Sequence, residues 1–227
     1  MSTVPDHILN VRTNLSQIVR LLDIHTHLTG AGPGRRRDVQ VLNKSAVLLL
    51  VATWEAYVED LAISACRFAV ENAESFDQLP KLALVKTSRR LEKEQDDNSI
   101  WKLAGDGWKN ELIAQAELEA SRLNSPDAEK VDILFDNTLG LRKLSKYWYW
   151  AGSSRENVTR RLSRLIETRG EIAHRVEASD PVTKTYVERN VDLVKRLGAI
   201  SSNRVRGHIS NIVGMNPWPR YGHSLAS

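Results

Sequence analysis

The sequence predicts an all-α protein: a bundle of helices around one long central helix, with extra helices and a short irregular C-terminal tail. Apolar residues recur at helical spacing along most of the chain, and no segment shows the strict alternation of a half-buried strand. Clusters of glycine, proline and polar residues separate the periodic segments. Of the 227 residues, 41% are apolar and 26% charged, a composition that excludes a disordered or fibrous chain.

Three helices are predicted in the first half of the chain. The first covers Val4 to Leu28 and is followed by a glycine- and proline-rich cluster at residues 29–34. The central helix is predicted over Asp38 to Glu74, because its first half is apolar on nearly every side, as in a helix packed by several neighbours. The third is predicted over Leu79 to Glu94.

The second half carries helix-start signals. A fourth helix is predicted over Trp108 to Leu123, and Ser125-Pro126 then resembles a helix start with proline at the first helical position. Ser153 stands three residues before Glu156, the spacing of a capping box, so a further helix is predicted from there to about His174.

The chain is predicted to form one helical domain over residues 1–206 and a tail over 207–227. The last helix is expected from Asp180-Pro181 to Gly198, and the final residues contain Gly, Pro, Trp and Tyr without a helical period. The longest apolar run, Ala46 to Ala52, is too short to span a membrane, and the N-terminus lacks the pattern of a secretory signal. We therefore expect a soluble cytoplasmic protein without a membrane partner.

Other residue types with chemical potential are given structural interpretations. The single cysteine, Cys66, cannot form an internal disulfide and is expected to be buried and inert. His25 and His27 point about 200° apart on a helix, so no metal site is predicted. The aromatic run from Tyr147 to Trp150 is predicted to fill the core, with stacking on single-stranded bases as the alternative.

The charge of the chain is mildly positive. Lysine and arginine number 32 against 28 acidic residues, giving a formal charge of +4. This excess permits nucleic-acid binding without implying it. Arg35, Arg36 and Arg37 form the longest basic cluster, which is a candidate phosphate contact or, more simply, a solvated loop.

The segment from Thr159 to Val176 breaks the pattern of an amphipathic helix. Arg169 lies about 20° from Leu162 around the helix axis, within the predicted apolar stripe. A lone buried charge costs several kcal/mol, so Arg169 is expected to be paired or to face a partner or a ligand. Gly170 costs about 1 kcal/mol relative to alanine in a helix. A salt bridge for Arg169 and a helix-capping role for His174 are the structural alternatives.

These residues carry a family resemblance. Arg169-Gly-Glu-Ile-Ala-His174 is an R-x4-H motif near the end of a helix, and Trp54-Glu-Ala-Tyr-Val-Glu-Asp-Leu61 lies about 110 residues upstream. Together they resemble the HEPN superfamily, in its RiboL-PSP branch, over roughly residues 5 to 198. The chain departs from the family at Gly170, where a polar residue usually follows the arginine, and at Arg175, where a glycine usually follows the histidine.

The resemblance implies a metal-independent endoribonuclease with no cofactor. Two copies of the chain would pair so that both motifs line one cleft, because Arg169 and His174 lie about 140° apart on a single helix. His174 would act as general acid or base and Arg169 would bind the scissile phosphate. Attack by the RNA 2′-hydroxyl would leave a 2′,3′-cyclic phosphate and a 5′-hydroxyl, and DNA would be inert. A catalytically silent HEPN domain that binds RNA or a protein is the main alternative, and a helical interaction module without nucleic acid is another.

Supporting residues are assigned with less direct signals. Asp60 lies 18 residues after Leu42, which returns it to the same helix face, and its carboxylate is a candidate for orienting Arg169. Glu55 falls on the opposite, solvated side, although the resemblance keeps it as a supporting candidate together with Glu171. Arg175 joins the Arg35–Arg37 cluster as a candidate RNA contact. The resemblance also implies a role in toxin–antitoxin or phage-defence systems, where a cognate antitoxin or other regulatory protein would be a partner.

Overall fold

Seven α-helices make up most of the part of the chain that the structure, a computed structural model, describes: residues 4–29, 39–94, 99–175, 178–223 and 225. The helices are α1 (Asp6–Thr29), α2 (Gln40–Asn72), α3 (Lys81–Lys93), α4 (Gly107–Ala120), α5 (Ala128–Leu139), α6 (Arg155–Arg175) and α7 (Lys184–Val213). Short 3₁₀ turns lie at Phe76–Gln78, Ser99–Leu103 and Leu144–Tyr147. The predicted all-α fold is confirmed.

The central helix of the bundle is α2, which contacts α1, α4, α5, α6 and α7. Its buried side chains lie on nearly all sides of the axis, as the continuous apolar run at Val47 to Trp54 predicts. Trp54 and Tyr57 are fully enclosed, and the Tyr57 hydroxyl donates a hydrogen bond of 2.6 Å to the carbonyl of Gly198 in α7. The sequence prediction of a long helix packed by several neighbours is confirmed.

Two of the predicted helix starts are displaced in the structure. The side chain of Asp127, not Ser125, caps α5 by accepting a hydrogen bond from the backbone N–H of Lys130 at 2.9 Å. Ser125 has a φ of +46° and stands in the preceding loop. At α6 the hydroxyl that accepts from the N–H of Asn157 belongs to Ser154, at 3.3 Å. At both helix starts, residues that can cap a helix lie close together in the sequence. The local sequence pattern alone does not show which of them makes the capping hydrogen bond.

The prediction that the last helix ends at Gly198 is wrong, because α7 continues to Val213. Gly198 is a packing position: a Cβ there would lie 3.2 Å from Leu225 Cδ1 and 3.4 Å from Tyr57 Cζ. The helix ends instead at Gly214, whose φ of +73° is the left-handed conformation that glycine adopts readily. The expected domain boundary at residue 207 therefore lies inside α7.

The segment after α7 is irregular, as predicted, but it packs against the bundle. Trp218, Tyr221 and Leu225 are buried. Asn203 of α7 exchanges two hydrogen bonds with the backbone of Tyr221, at 2.8 and 2.9 Å, and Arg12 Nε of α1 donates to the carbonyl of Leu225 at 2.9 Å. These contacts close the bundle over the N-terminal half of α1 and the C-terminal half of α7.

The aromatic run divides between core and surface. Trp148 is fully buried, and its indole N–H donates to the hydroxyl of Ser201 in α7 at 3.0 Å. Tyr149 is 55% exposed, whereas Tyr147 and Trp150 are half-buried at the edge of α7. The expectation that the run fills the core holds for Trp148 alone.

The described residues include one buried cysteine and contain no cluster of side chains that could ligate a metal. Cys66 is buried, and burial raises the pKa of its thiol to about 12. No group of three or more His, Cys, Asp or Glu side chains in the described ranges could hold a metal ion. Among the described helices, none has the length and apolar character needed to cross a membrane.

Candidate active site on helix α6

Helix α6 runs without interruption through the R-x4-H segment and is amphipathic. Its buried side chains are Val158, Leu162, Leu165 and Ile172, which face α2 and the rest of the core. This face is centred between Leu162 and Leu165 and is rotated away from Ala173, which is exposed. The apolar stripe is therefore narrower than the sequence predicts, and Arg169, about 20° from Leu162 around the axis, still falls within its angular range.

Arg169 is half-buried in the single chain. Its guanidinium makes no hydrogen bond, ion pair or cation–π contact with any described residue. The structural alternative, in which a salt bridge seals Arg169, is therefore not present within the described part of the chain. A half-buried guanidinium without a carboxylate partner is available to bind an anion.

His174 and Arg175 are exposed in the last turn of α6. Cations are favoured there by the helix dipole, so a stabilising role for His174 at the helix end coexists with any chemical one. On a continuous helix Arg169 and His174 are separated by about 7.5 Å along the axis and about 140° around it. One α6 helix therefore presents the two groups on either side of a shallow face.

Small residues occupy the face between the two groups. Gly170 and Ala173 project between the directions of Arg169 and His174 around the α6 axis. A Cβ added at Gly170 would meet no described atom within 4 Å, so packing within the described chain does not require the glycine. The described part of the chain therefore leaves room at Gly170 for another surface to approach the α6 backbone closely.

Glu171 holds the connection between α6 and α7. Its carboxylate accepts hydrogen bonds from the backbone N–H of Ser179 at 2.8 Å and from the Ser179 hydroxyl at 2.7 Å. These hydrogen bonds hold the pKa of Glu171 below its ordinary value. Arg164 and Asp180 form an ion pair across the same connection. Glu171 thus supports the loop that follows His174 rather than contacting Arg169.

The expected pairing of Asp60 with Arg169 is wrong for the single chain. Asp60 accepts a hydrogen bond from the side chain of Asn10 in α1 at 2.9 Å, and no ion pair joins it to Arg169 in the described ranges. It lines a surface cavity of about 530 Å³ with Arg67 and Trp218. A shared face of α2 does not bring Asp60 to α6, because α1 covers that part of the helix.

Glu55 is also structural, and its predicted solvated position is wrong. Its carboxylate accepts a hydrogen bond of 2.6 Å from the backbone N–H of Ser125, and the neighbouring Trp54 indole donates to the carbonyl of Pro126 at 2.8 Å. The two contacts fix the loop between α4 and α5 on α2. Arg35, Arg36 and Arg37 lie outside the described residues.

A second group of polar residues, which sequence reasoning missed, lies between α6 and α7. A cavity of about 610 Å³ is lined by Arg161, Arg164, Tyr186, Glu188, Arg189, Asn190 and Asp192. The Tyr186 hydroxyl lies 3.1 Å from the hydroxyl of Thr168, the residue before Arg169. The recurrence of arginines at helical spacing in α7 was the available signal.

The fold and the motif helix together define a class of protein. An all-α bundle around a long helix, with an arginine and a histidine five residues apart near the C-terminal end of another helix, is what the sequence resemblance led us to expect of a HEPN domain. The RiboL-PSP-HEPN family model matches residues 13–203, and the chain belongs to this family. The family assignment suggests a nuclease or an RNA-binding module. No curated protein and no solved structure matches the chain.

Proposed function

We propose that the protein is a metal-independent endoribonuclease whose catalytic residues are Arg169 and His174. The observation that carries the proposal is the half-buried guanidinium of Arg169, which is unpaired among the described residues, while the exposed imidazole of His174 lies on the other side of the open position at Gly170. A carboxylate partner would have made Arg169 a structural residue. Its absence among the described residues leaves the charge for an external anion.

The chemistry requires only the substrate's own nucleophile. The 2′-oxygen forms a bond to phosphorus while the bond from phosphorus to the 5′-oxygen breaks. One imidazole removes the 2′-hydroxyl proton, and a second imidazole or water supplies a proton to the departing 5′-oxygen. Arg169 binds the non-bridging oxygens and offsets the charge that grows on them in the transition state. The products are a 2′,3′-cyclic phosphate and a 5′-hydroxyl.

A homodimer gives this chemistry a second imidazole. The separation of about 140° between Arg169 and His174 disfavours their convergence on one phosphate from a single helix. Two α6 helices that face each other across Gly170 and Ala173 would bring one chain's Arg169 towards His174 of the partner subunit. Small residues at the contact allow the two backbones to approach closely.

The family assignment also supports a proposal about the wider setting of the enzyme. Arg175, one residue after His174, would add a phosphate contact, and Arg35, Arg36 and Arg37 would contribute others. We propose that the ribonuclease acts in the cytoplasm as a toxin or a phage-defence effector, restrained by an antitoxin or another regulatory protein.

The test is cleavage of a fluorescent single-stranded RNA in EDTA, beside an all-deoxy strand of the same sequence. We expect cleavage of the RNA alone. His174→Ala should lower the rate at least about 100-fold, the lower end of general acid–base catalysis. Arg169→Ala should also lower it at least about 100-fold, the lower end for removing one group that stabilises transition-state charge. Arg160→Ala, an exposed arginine on the same helix, and His27→Ala, an exposed histidine on α1, are the matched controls and should retain the rate. Cleavage that survives both active-site changes would overturn the assignment.

A catalytically silent RNA-binding domain is the second candidate, and Gly170 is the observation that favours it. Glycine offers no side-chain hydrogen bond at the position that follows the motif arginine. In this case the RNA binds, and no enzyme concentration cleaves it. Gly170→Asn then distinguishes the two functions further. If this variant gains cleavage, the inactivity of the unmodified chain results from the missing side-chain amide at position 170.

A further inference from the structure

A stripe of basic and aromatic side chains runs along α7 beyond the catalytic face of α6. It consists of Tyr186, Arg189, Arg196 and Arg204, and we call it the α7 track. These residues fall within about 80° of one another around the helix axis and span about 27 Å along it. The stripe therefore forms one extended surface and is not a scatter of unrelated side chains.

Aromatic rings from the segment before α6 border the track. The guanidinium carbon of Arg204 lies 4.1 Å from the ring centroid of Tyr147, and that of Arg196 lies 5.4 Å from the ring centroid of Trp150. The buried Trp148 between them is fixed to α7 by its hydrogen bond to Ser201. The rigid core thus holds two rings and two guanidinium groups together at the surface.

The charge along this surface is positive after internal pairing is counted. Asp192 accepts a hydrogen bond from Arg196 Nε at 2.8 Å, and Glu188 lies 3.5 Å from Lys184 Nζ, so the acidic residues of the surface are engaged.

Four cations of this surface have no carboxylate partner among the described residues, namely Lys146, Arg161, Arg189 and Arg204. Three of the four are guanidinium groups, whose planar donors match phosphate oxygens.

The N-terminal end of the α7 track contacts helix α6. Arg161 of α6 donates to the backbone carbonyl of Arg189 at 3.0 Å, which fixes one wall of the cavity of about 610 Å³ between α6 and α7. At the other wall Tyr186 meets Thr168, which precedes Arg169. Asp192, which also lines the cavity, accepts the hydrogen bond from Arg196 of the track.

We propose that the α7 track binds single-stranded RNA. Unpaired guanidinium groups would hold successive phosphates, and Tyr149 and Trp150 would stack on unpaired bases. Bases in a duplex are stacked on each other and unavailable to these rings, so double-stranded RNA should bind less well. This inference extends the proposed function by placing the flanking RNA on α7, although binding to the track does not depend on cleavage.

The test measures RNA binding by fluorescence anisotropy in EDTA, with His174→Ala in every protein to prevent cleavage. Arg189→Gln with Arg204→Gln should weaken binding of a 12-nucleotide strand at least tenfold. It should also reduce the slope of log K against log salt by about 1.4, since each phosphate contact on a single strand contributes about 0.7. Lys81→Gln with Arg122→Gln removes the same charge from exposed positions elsewhere and should leave both quantities unchanged.

Stacking has a different signature from phosphate binding. Tyr149→Ala, at a residue that is 55% exposed, should weaken binding at least about fivefold with no change in the salt slope. Circular dichroism checks that each variant is folded. The proposal would be overturned if the track and control variants bound RNA equally, or if duplex RNA bound as tightly as the single strand. It would also be overturned if the protein bound no RNA at all, a result that would favour an acidic protein partner. Binding through the track with no cleavage by the unmodified chain would instead refute the nuclease and retain the track.

Discussion

The substitution Gly170→Ala is expected to affect the stability of the fold and the activity of the proposed site in opposite directions. Gly170 lies inside α6, and an added Cβ meets no described atom within 4 Å. Alanine is more favourable than glycine in a helix interior by about 0.8–1.0 kcal/mol, and here no steric cost offsets that gain. For a chain of this length we expect the melting temperature to rise by about 2–4 °C. Thermal and urea denaturation followed by circular dichroism measure the change.

The same substitution should impair cleavage, because a methyl group would stand on the uncovered face between Arg169 and His174. Gly207→Ala is the matched control: Gly207 lies inside α7, and its added Cβ also meets no described atom within 4 Å. It should be stabilised by a similar amount and cleave normally. Gly198→Ala, whose Cβ would lie 3.2 Å from Leu225, should gain less stability or lose some. A fall in the melting temperature of Gly170→Ala refutes the conformational argument, and full cleavage by the stabilised variant refutes the close approach.

Three further expectations concern the core. Burial lowers the pKa of His7 from 6.5 to about 3, so the unfolded chain takes up the proton first as the pH falls. The free energy of unfolding should therefore decline by up to about 1.4 kcal/mol per pH unit between pH 6.5 and pH 3. In urea denaturation at several pH values, His7→Gln should lack this contribution to the decline, whereas the exposed control His27→Gln should retain it. Cys66 should react with a thiol reagent only after denaturation, because it is buried and its pKa is raised to about 12; rapid labelling of the native protein would contradict this packing. Trp218→Ala should destabilise the protein by about 3–5 kcal/mol, since the ring is buried; a loss below 1 kcal/mol in urea denaturation would mean that the C-terminal segment is not part of the core.

The sequence predicts the features that depend on local periodicity. The length and central position of α2 follow from apolar residues on nearly all of its sides, and α6 follows from its amphipathic pattern. The sequence does not show that α7 continues through Gly198, because a glycine inside a helix and a glycine that ends one look alike without the distant partner. Here the partner is Leu225, which packs against the position where a Cβ would be.

In the candidate site, too, residues with a local sequence signal are predictable, whereas those defined by contacts between distant segments are not. Arg169 and His174 could be chosen from one helix, because an arginine within an apolar stripe is locally anomalous. Asp60 could not be placed, because its hydrogen-bond partner is Asn10, 50 residues away and on another helix. The α7 track was missed for a similar reason, since Tyr147 and Arg204 meet only after the bundle has formed.

The most direct test of the central assignment uses an RNA in which only the nucleotide 5′ to the cleaved bond lacks its 2′-hydroxyl. Single-turnover reactions in EDTA compare this strand with the unmodified RNA, and the ends of the products are identified. We predict that the unmodified strand yields a 2′,3′-cyclic phosphate and a 5′-hydroxyl, that the single deoxy substitution blocks that cut, and that His174→Ala removes it from the unmodified strand as well. Cleavage of the substituted strand at the same bond, or unchanged cleavage by His174→Ala, would contradict the mechanism.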